Sequence, residues 1–194
     1  MAADDERAVL RVPVTDHDHS QGPADAVLTL VEYGDYECPH CGRAYPIIKE
    51  VQRRLGSQLR FVFRNFPLAE MHRHAENAAE AAEAAATQGQ FWEMHDALFE
   101  HQRALDDGHL VQYAQALGMD GQQFQQELQS HAHERRVRGD FVGGVRSGVN
   151  GTPTFFINGL RHDDAWDVDT LTEALQAVAK PPATRRRFGT HTTT

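Results

Sequence analysis

Apolar residues follow two different spacings along the chain, and each spacing predicts a different element. Residues 27–33 form a nearly continuous apolar run with Glu32 inside it, which is typical of a strand covered on both faces. After Cys38, apolar residues recur in steps of three and four, which predicts one face of a helix. The residues with this spacing are Cys41, Ala44, Ile48, Val51 and Leu55. Residues 59–66 alternate and predict a second strand, so these elements form a β-α-β unit with parallel strands.

The next stretch is helical, and strands return only after it. Residues 69–148 contain no strand-like pattern, and successive helices of this kind predict a compact helical subdomain. Strand-like residues return at 154–157, followed by Asn158-Gly159, a strong signal for a hairpin turn. Residues 160–162 are the expected return strand. A closing helix is predicted over residues 167–179.

The two ends of the chain are mostly polar, with one short apolar alternation near the N-terminus. This alternation, at residues 9–14, predicts an edge strand, because Pro13 is tolerated in a sheet only at an edge. The last residues contain little apolar material, so we expect a disordered tail. The predicted organisation is an N-terminal extension (1–24), a core in two pieces (25–67 and 149–180), an inserted helical subdomain (68–148) and a disordered tail (181–194).

Length, composition and charge are those of an ordinary globular protein. The chain has 194 residues, which fits one domain with a sizeable insertion. Its formal net charge of -9 argues against a nucleic-acid partner, because binding phosphates needs concentrated Lys and Arg. No apolar run approaches the roughly 18 residues of a membrane span, and residues 1–18 lack the apolar segment of a signal peptide. We therefore expect no membrane partner, and a cytoplasmic protein or the mature form of an exported one.

Cys38 and Cys41 are the only cysteines, and their Cys-x-x-Cys spacing has two common uses. One use is a redox-active dithiol, and the other is half of a zinc site. A zinc site would need two more ligands. The histidines that could supply them are His40, His72, His74 and His95. His17 and His19, which lie between aspartates, are a weaker metal candidate that we interpret as solvated loop residues. We expect no metal.

The position of the first cysteine at a helix start favours the redox interpretation. Cys38 would face unpaired N–H groups and the positive end of the helix dipole, which lower a thiol pKa and yield the nucleophilic thiolate. Cys41, one turn later, would be more buried and would resolve the mixed disulfide. We expect His40 to add a partial positive charge near Cys38, and Asp35 and Glu37 to act against the thiolate.

Two features far from each other in the sequence fit the same chemistry. A carboxyl group inside an apolar strand is costly to bury, so Glu32 either reaches water at an edge or lies beneath the helix start. In the second case its pKa would be raised and it would carry the proton that Cys41 gains or loses. Thr152-Pro153 precedes a predicted strand. Such bonds are usually trans, but with the upstream dithiol we expect a cis bond that contacts the cysteines.

Taken together, these features resemble the DsbA family of thiol-disulfide oxidoreductases. The motifs that carry the resemblance are Cys38-Pro39-His40-Cys41, Phe63-Arg64-Asn65-Phe66-Pro67-Leu68, Phe91-Trp92-Glu93-Met94-His95 and Thr152-Pro153. The resemblance implies an α/β thioredoxin fold with a helical insertion between the second and third core strands. The roles that it implies are nucleophile for Cys38, resolving residue for Cys41, buried acid for Glu32, control of redox poise for Pro39 and His40, and substrate binding for Thr152 and Pro153.

The expected function is thiol–disulfide exchange with protein or small-thiol substrates by a monomer that needs no cofactor. The thioredoxin or glutathione system is the expected redox partner. The direction of electron flow stays open, because reductase, isomerase and oxidant roles all use such a dithiol. The alternative is a client-binding or redox-sensing module without turnover. In that case the aromatic segment 91–99 would line a groove.

Overall fold

The structure is a computed structural model that describes residues 8–179. Within this range, five strands form one sheet in the order β1-β3-β2-β4-β5. The strands are β1 (His19–Gln21), β2 (Leu28–Gly34), β3 (Leu59–Asn65), β4 (Thr154–Ile157) and β5 (Leu160–His162). β2 and β3 are parallel, and the other neighbouring pairs are antiparallel. The strands predicted at residues 27–33, 59–66, 154–157 and 160–162 are therefore confirmed, with β2 at the centre of the sheet.

Besides a short 3-10 helix at Gly56–Gln58, seven α-helices are described in the same range. They are α1 (Pro39–Leu55), α2 (Ala75–Thr87), α3 (Phe91–Glu100), α4 (Asp107–Ala116), α5 (Gly121–Gln129), α6 (Glu134–Arg146) and α7 (Val168–Ala179). Helix α1 crosses from β2 to β3 and ends at Gly56, whose positive φ of 51° suits glycine. Helices α2 to α6 lie between β3 and β4. The predicted α/β architecture with a helical insertion between the second and third core strands is confirmed.

Both faces of the sheet are covered, which explains the continuous apolar run of β2. The described residues form two buried apolar clusters, one on each face of the sheet. Leu28 and Leu30 point into the larger cluster, where α1 packs against α3 and α7. Val31 and Tyr33 point to the other face and pack with Phe141 of α6. Since alternate residues of β2 are buried on opposite faces, neither face can be polar. Because β2 is the central strand, its end and the start of α1 lie at the middle of one edge of the sheet.

The predicted edge strand at residues 9–14 was wrong. Residues 9–14 form no strand; Val9 makes only an isolated bridge with Leu160, and the edge strand is β1, which pairs with β3. The reason is that the Arg64 guanidinium binds the carbonyl oxygens of Val12 and Pro13, which takes them out of any ladder. The extension therefore contributes a strand to the sheet. The predicted tail, 181–194, lies outside the described residues.

Candidate active site

The end of β2 and the start of α1 bring the two cysteines together. Cys38 is the N-cap of α1 in an extended conformation, and Pro39 is the first helical residue, where its missing N–H is not needed. Both cysteines are free thiols. Cys38 is 3% exposed and Cys41 is fully buried. The local sequence thus sets a dithiol on one helical turn, with its first member at the end of the helix dipole.

The two thiols have opposite proton affinities. A hydrogen bond from the Cys41 thiol, assisted by the Thr152 side chain and two backbone N–H groups and opposed by burial, lowers the pKa of Cys38 to about 5. Burial, the hydrogen bond to Cys38 and the charge of Glu32 hold the pKa of Cys41 well above its ordinary value. At neutral pH, Cys38 is therefore a thiolate and Cys41 carries the proton. This division suits a nucleophile and a resolving residue.

Glu32 lies on the central strand, beneath the dithiol. It is 3% exposed, and its neighbours across the sheet are Phe63 and Phe155. Burial, followed by the negative charge of Cys38, raises the pKa of Glu32 to about 8. The interpretation that Glu32 reaches water at a sheet edge is therefore wrong, because β2 has a strand on each side. A carboxyl group that is protonated at neutral pH can give its proton to a thiolate.

The Thr152-Pro153 segment meets the dithiol from the far end of the insertion. The Thr152–Pro153 peptide bond is cis and directly precedes β4. The Sγ atom of Cys38 lies 3.5 Å from the carbonyl oxygen of Thr152, across 114 positions of sequence. No other group within residues 8–179 forms a hydrogen bond with the buried Thr152 hydroxyl, so the sulfur of Cys38 is its available partner. The hydroxyl is therefore free to donate to the Cys38 thiolate.

Replacing Thr152 with Val removes this donor, so we expect the pKa of Cys38 to rise by about one unit. The ultraviolet absorbance of the thiolate, followed against pH, measures the change. Thr154→Val is the matched control, because the Thr154 hydroxyl donates to the Gly151 carbonyl and not to sulfur. An unchanged Cys38 pKa in Thr152→Val, or an equal shift in the control, would contradict the assignment.

Asp35 holds the parts of the site together, a role beyond the unfavourable charge that the sequence predicted for it. Its backbone carbonyl accepts from the N–H of Cys38 at 3.2 Å, and its own N–H donates to Sγ of Cys41 at 3.5 Å. Its buried carboxylate accepts from the N–H groups of Glu37 and Leu68 and lies 2.7 Å from Nδ1 of His72. One residue therefore holds both cysteines and the segment that follows β3. The only sequence signal was an acid three positions before Cys38.

His72 is held beside the dithiol by this carboxylate. Burial works against its protonation, but the hydrogen bond and charge of Asp35, with the charge of Cys38, raise the pKa of His72. The site thus gains a histidine whose protonated form is favoured by the Asp35 carboxylate, a role that no local pattern indicated. The pair stabilises the fold when His72 is protonated.

We expect His72→Asn to destabilise the reduced protein in a pH-dependent way. Because the folded pKa of His72 is raised, its contribution is complete below the unfolded value of about 6.5 and is lost as pH rises through the folded pKa. The loss should be about 1 kcal/mol near pH 6 and smaller near pH 9. Urea unfolding measures it, with His162→Asn as control, because His162 contacts a backbone carbonyl. A loss that is equal at both pH values would refute the ion pair.

Other predicted residues lie elsewhere or act differently. The His40 imidazole lies 2.7 Å from the Arg43 guanidinium, and it is the His40 backbone N–H that contributes to the low pKa of Cys38. The predicted effect of a His40 charge stays a prediction. Of the possible zinc ligands, His74 pairs with Glu37, and His95 is buried against Tyr36. No cluster of three His, Cys, Asp or Glu suited to a metal occurs in residues 8–179.

The remaining sequence candidates have structural roles. His19 stacks on Phe91 and contacts Glu83, while His17 is exposed, so the two do not form a pair. The large apolar residues that could have lined a client groove mostly pack into the core. They are Phe91, Trp92, Met94 and Phe99. Gln102, which no signal marked, donates to the carbonyls of Tyr36 and Cys38 and ties the insertion to the start of α1.

Comparison with known proteins identifies the family. A family model described as Thioredoxin matches residues 14–177. The chain belongs to this thioredoxin family. Its structure is similar to that of oxidised BdbD from Bacillus subtilis, with a TM-score of 0.80 and 24% identity, over 90% of this chain and 100% of that chain. It is also similar to alpha-DsbA1 from Wolbachia pipientis, with a TM-score of 0.75 and 19% identity, over 88% and 94%. At these identities the likeness shows a shared fold, and the predicted DsbA-like fold is confirmed.

Curated relatives carry a different kind of name. The chain is 45% identical over 170 residues to Na(+)/H(+) antiporter NhaA 1 of Salinispora arenicola, covering 87% of this chain and 26% of that protein. It is 47% identical over 164 residues to NhaA 1 of Mycobacterium sp. strain KMS, covering 84% and 27%. This thioredoxin-family chain thus spans about a quarter of these relatives. Within residues 8–179, no helix is both long and apolar enough to cross a membrane.

Proposed function

We propose that this chain is a thiol-disulfide oxidoreductase that exchanges disulfides with protein or small-thiol substrates through Cys38. The observation that carries the proposal is the thiol pair itself, in which the pKa of Cys38 is about 5 and that of Cys41 is raised. A structural staple gains nothing from such a difference, whereas disulfide exchange needs a stable thiolate and a protonated partner. We do not propose antiport for this chain, because the part of the relatives that it matches corresponds to the thioredoxin unit.

The proposed reaction begins with a disulfide between Cys38 and Cys41. A substrate thiolate attacks Sγ of Cys38, the disulfide breaks, and the electron pair leaves on Cys41, which takes a proton from Glu32. The second substrate thiolate then attacks the substrate sulfur of the mixed disulfide and releases Cys38 as a thiolate. The substrate dithiol loses two electrons, and the enzyme disulfide gains them. Thr152 offers backbone groups to the substrate chain as an added strand.

We propose the oxidising direction for this exchange. A low pKa of Cys38 stabilises the reduced form, which makes the disulfide a better oxidant. The test is to equilibrate the protein with glutathione redox buffers and to assay oxidation of a dithiol peptide and reduction of insulin. A potential above the cytosolic glutathione poise, with peptide oxidation, supports the proposal. A potential at or below that poise would reverse the direction, and the absence of exchange in both assays would refute the function.

The compartment and the redox partner belong to the same proposal. In the cytoplasm, the expected partner is the glutathione or thioredoxin system, which would keep the dithiol mostly reduced at steady state, so that only the minor disulfide fraction would oxidise a substrate. Trapping free thiols in intact cells with a maleimide reports the ratio of dithiol to disulfide. A pair that is mostly oxidised would contradict the cytoplasmic location.

A further inference from the structure

A surface groove separates the segment after β3 from the N-terminal half of α6. Its volume is about 550 Å³. The apolar residues that line it are Pro67, Leu68, Ala69, Met71, Val137 and Phe141. Met71 is 75% exposed, more than any other large apolar residue of the described chain. An unbranched, polarisable side chain that projects into a groove adapts readily to different partners.

Carboxylates surround this apolar floor. The charged residues that line the groove are Glu70, Glu76, Glu80 and Glu134, with Arg138 as the single cation. Glu80 is paired with His131, whereas the other three form no ion pair within residues 8–179. Glu76 and Glu134 lie in the first turns of α2 and α6, where acids stabilise a helix. Stabilisation of a helix start does not explain Glu70, which lies in a loop. It also does not explain why all three glutamates line the same groove.

Hydrogen bonds connect the groove to the dithiol site. The N–H of Leu68, on the groove floor, donates to the Asp35 carboxylate at 2.9 Å. His72, directly after Met71, lies on the same carboxylate. Asp35 in turn contacts both cysteines through its backbone. A chain lying in the groove would therefore be held by the segment that borders the site.

We propose that this groove binds an apolar, cationic segment of the polypeptide client whose thiol or disulfide reacts at Cys38. The proposal rests on the proposed function, and its basis is charge complementarity. Apolar side chains of the client cover the floor, and Lys or Arg side chains meet the three unpaired carboxylates. Because these carboxylates are near the surface, salt screens the attraction. The oxidoreductase therefore prefers basic, apolar sequences around the reacting cysteine.

The binding test uses the full chain with Cys38→Ser and Cys41→Ser, so that it does not depend on exchange. Fluorescence anisotropy follows a labelled, cysteine-free peptide of alternating Leu and Lys, and the same peptide with Glu in place of Lys. We expect the Lys peptide to bind and added salt to weaken it. Adding Glu70→Gln, Glu76→Gln and Glu134→Gln should weaken it about tenfold, at roughly 0.5 kcal/mol per charge.

The matched control removes three charges elsewhere. Glu93→Gln, Asp164→Asn and Glu173→Gln change exposed acids that do not line the groove, and we expect binding to be unchanged. Equal weakening in the control, or equal binding of the Glu peptide, would overturn the proposal. Self-association of the chain that Met71→Asn abolishes in sedimentation would also overturn it, because a second copy would then be the occupant.

A rate measurement separates this inference from the proposed function. With the cysteines intact, the triple groove variant should slow exchange with a cysteine-containing Leu-Lys peptide about tenfold and leave exchange with a small disulfide unchanged. Slower exchange with both would assign the effect to the dithiol and refute the groove. Peptide binding without any exchange would sustain the groove and refute the proposed reaction.

Discussion

Replacing Cys38 with Ser abolishes disulfide exchange, with a loss of about a thousandfold or more. The physical reason is that the pKa of Cys38 is about 5, so it supplies the thiolate at neutral pH, whereas the pKa of Cys41 is raised and its thiol is fully buried. Cys41 cannot replace it. Oxidation of a dithiol peptide and reduction of insulin, followed by loss of free thiol and by turbidity, measure the loss in both directions.

Cys41→Ser is the matched variant, and its expected result differs in kind. It keeps the nucleophile but lacks the resolving thiol, so a mixed disulfide between Cys38 and the substrate should accumulate. Mass spectrometry after acid quenching detects this adduct. If Cys38→Ser retained full activity, or if the adduct formed at Cys41 in that variant, the roles of the two cysteines would be wrong.

Glu32→Gln should stabilise the reduced protein, which is the reverse of the usual effect of a core substitution. The native pKa of Glu32 is about 8, whereas an unfolded glutamate ionises near 4.3. Between these values the unfolded chain has lost the proton that the native protein keeps, so stability falls as pH rises. The Gln variant has no carboxyl group at this position, so its stability does not fall with pH for this reason. Its free energy of unfolding should exceed that of the wild type by about 3 kcal/mol at pH 7 and by little below pH 4.

Urea unfolding against pH tests this, and Glu83→Gln is the control with the opposite sign. Glu83 is also buried, but despite burial its contacts with His19, Arg136 and Asn65 lower its pKa. Its substitution should therefore destabilise at neutral pH, and the loss should disappear as pH falls through its native pKa. A Glu32→Gln variant that is less stable than the wild type at pH 7 would refute a protonated Glu32.

The same substitution should also affect the reaction. Without the carboxyl group, the Cys41 thiolate has no adjacent proton donor, so the step that releases it should slow by about tenfold or more. Stopped-flow fluorescence of single-turnover exchange should show this loss at neutral pH and a smaller one near pH 9, where Glu32 is ionised in the wild type. An unchanged rate across this range would leave Glu32 as a structural acid only.

The spacing of apolar residues predicted the strands and helices whose buried faces follow a regular period. The apolar run of β2, the helical period after Cys38 and the alternation of β3 each report one local geometry, and all three were confirmed. The prediction of a strand at residues 9–14 was wrong because the Arg64 guanidinium binds the backbone carbonyl groups of this segment. A hydrogen bond from a distant side chain leaves no periodic trace in the sequence.

The dithiol was predictable because its chemistry is local, whereas the residues that hold it in place, Asp35, His72 and Gln102, were not. The sequence by itself determined that Cys38 begins a helix and that Glu32 lies in a buried strand. The contact of Thr152-Pro153 with the cysteines was expected from the resemblance and not from spacing, and only the tertiary structure decided that Asp35 joins both cysteines to His72 and that four glutamates border one groove. Those contacts join residues that precede the helical insertion with residues within it or after it, so they form only when the chain folds back on itself. The pKa values that follow depend on burial and on neighbours, which spacing along the chain does not encode.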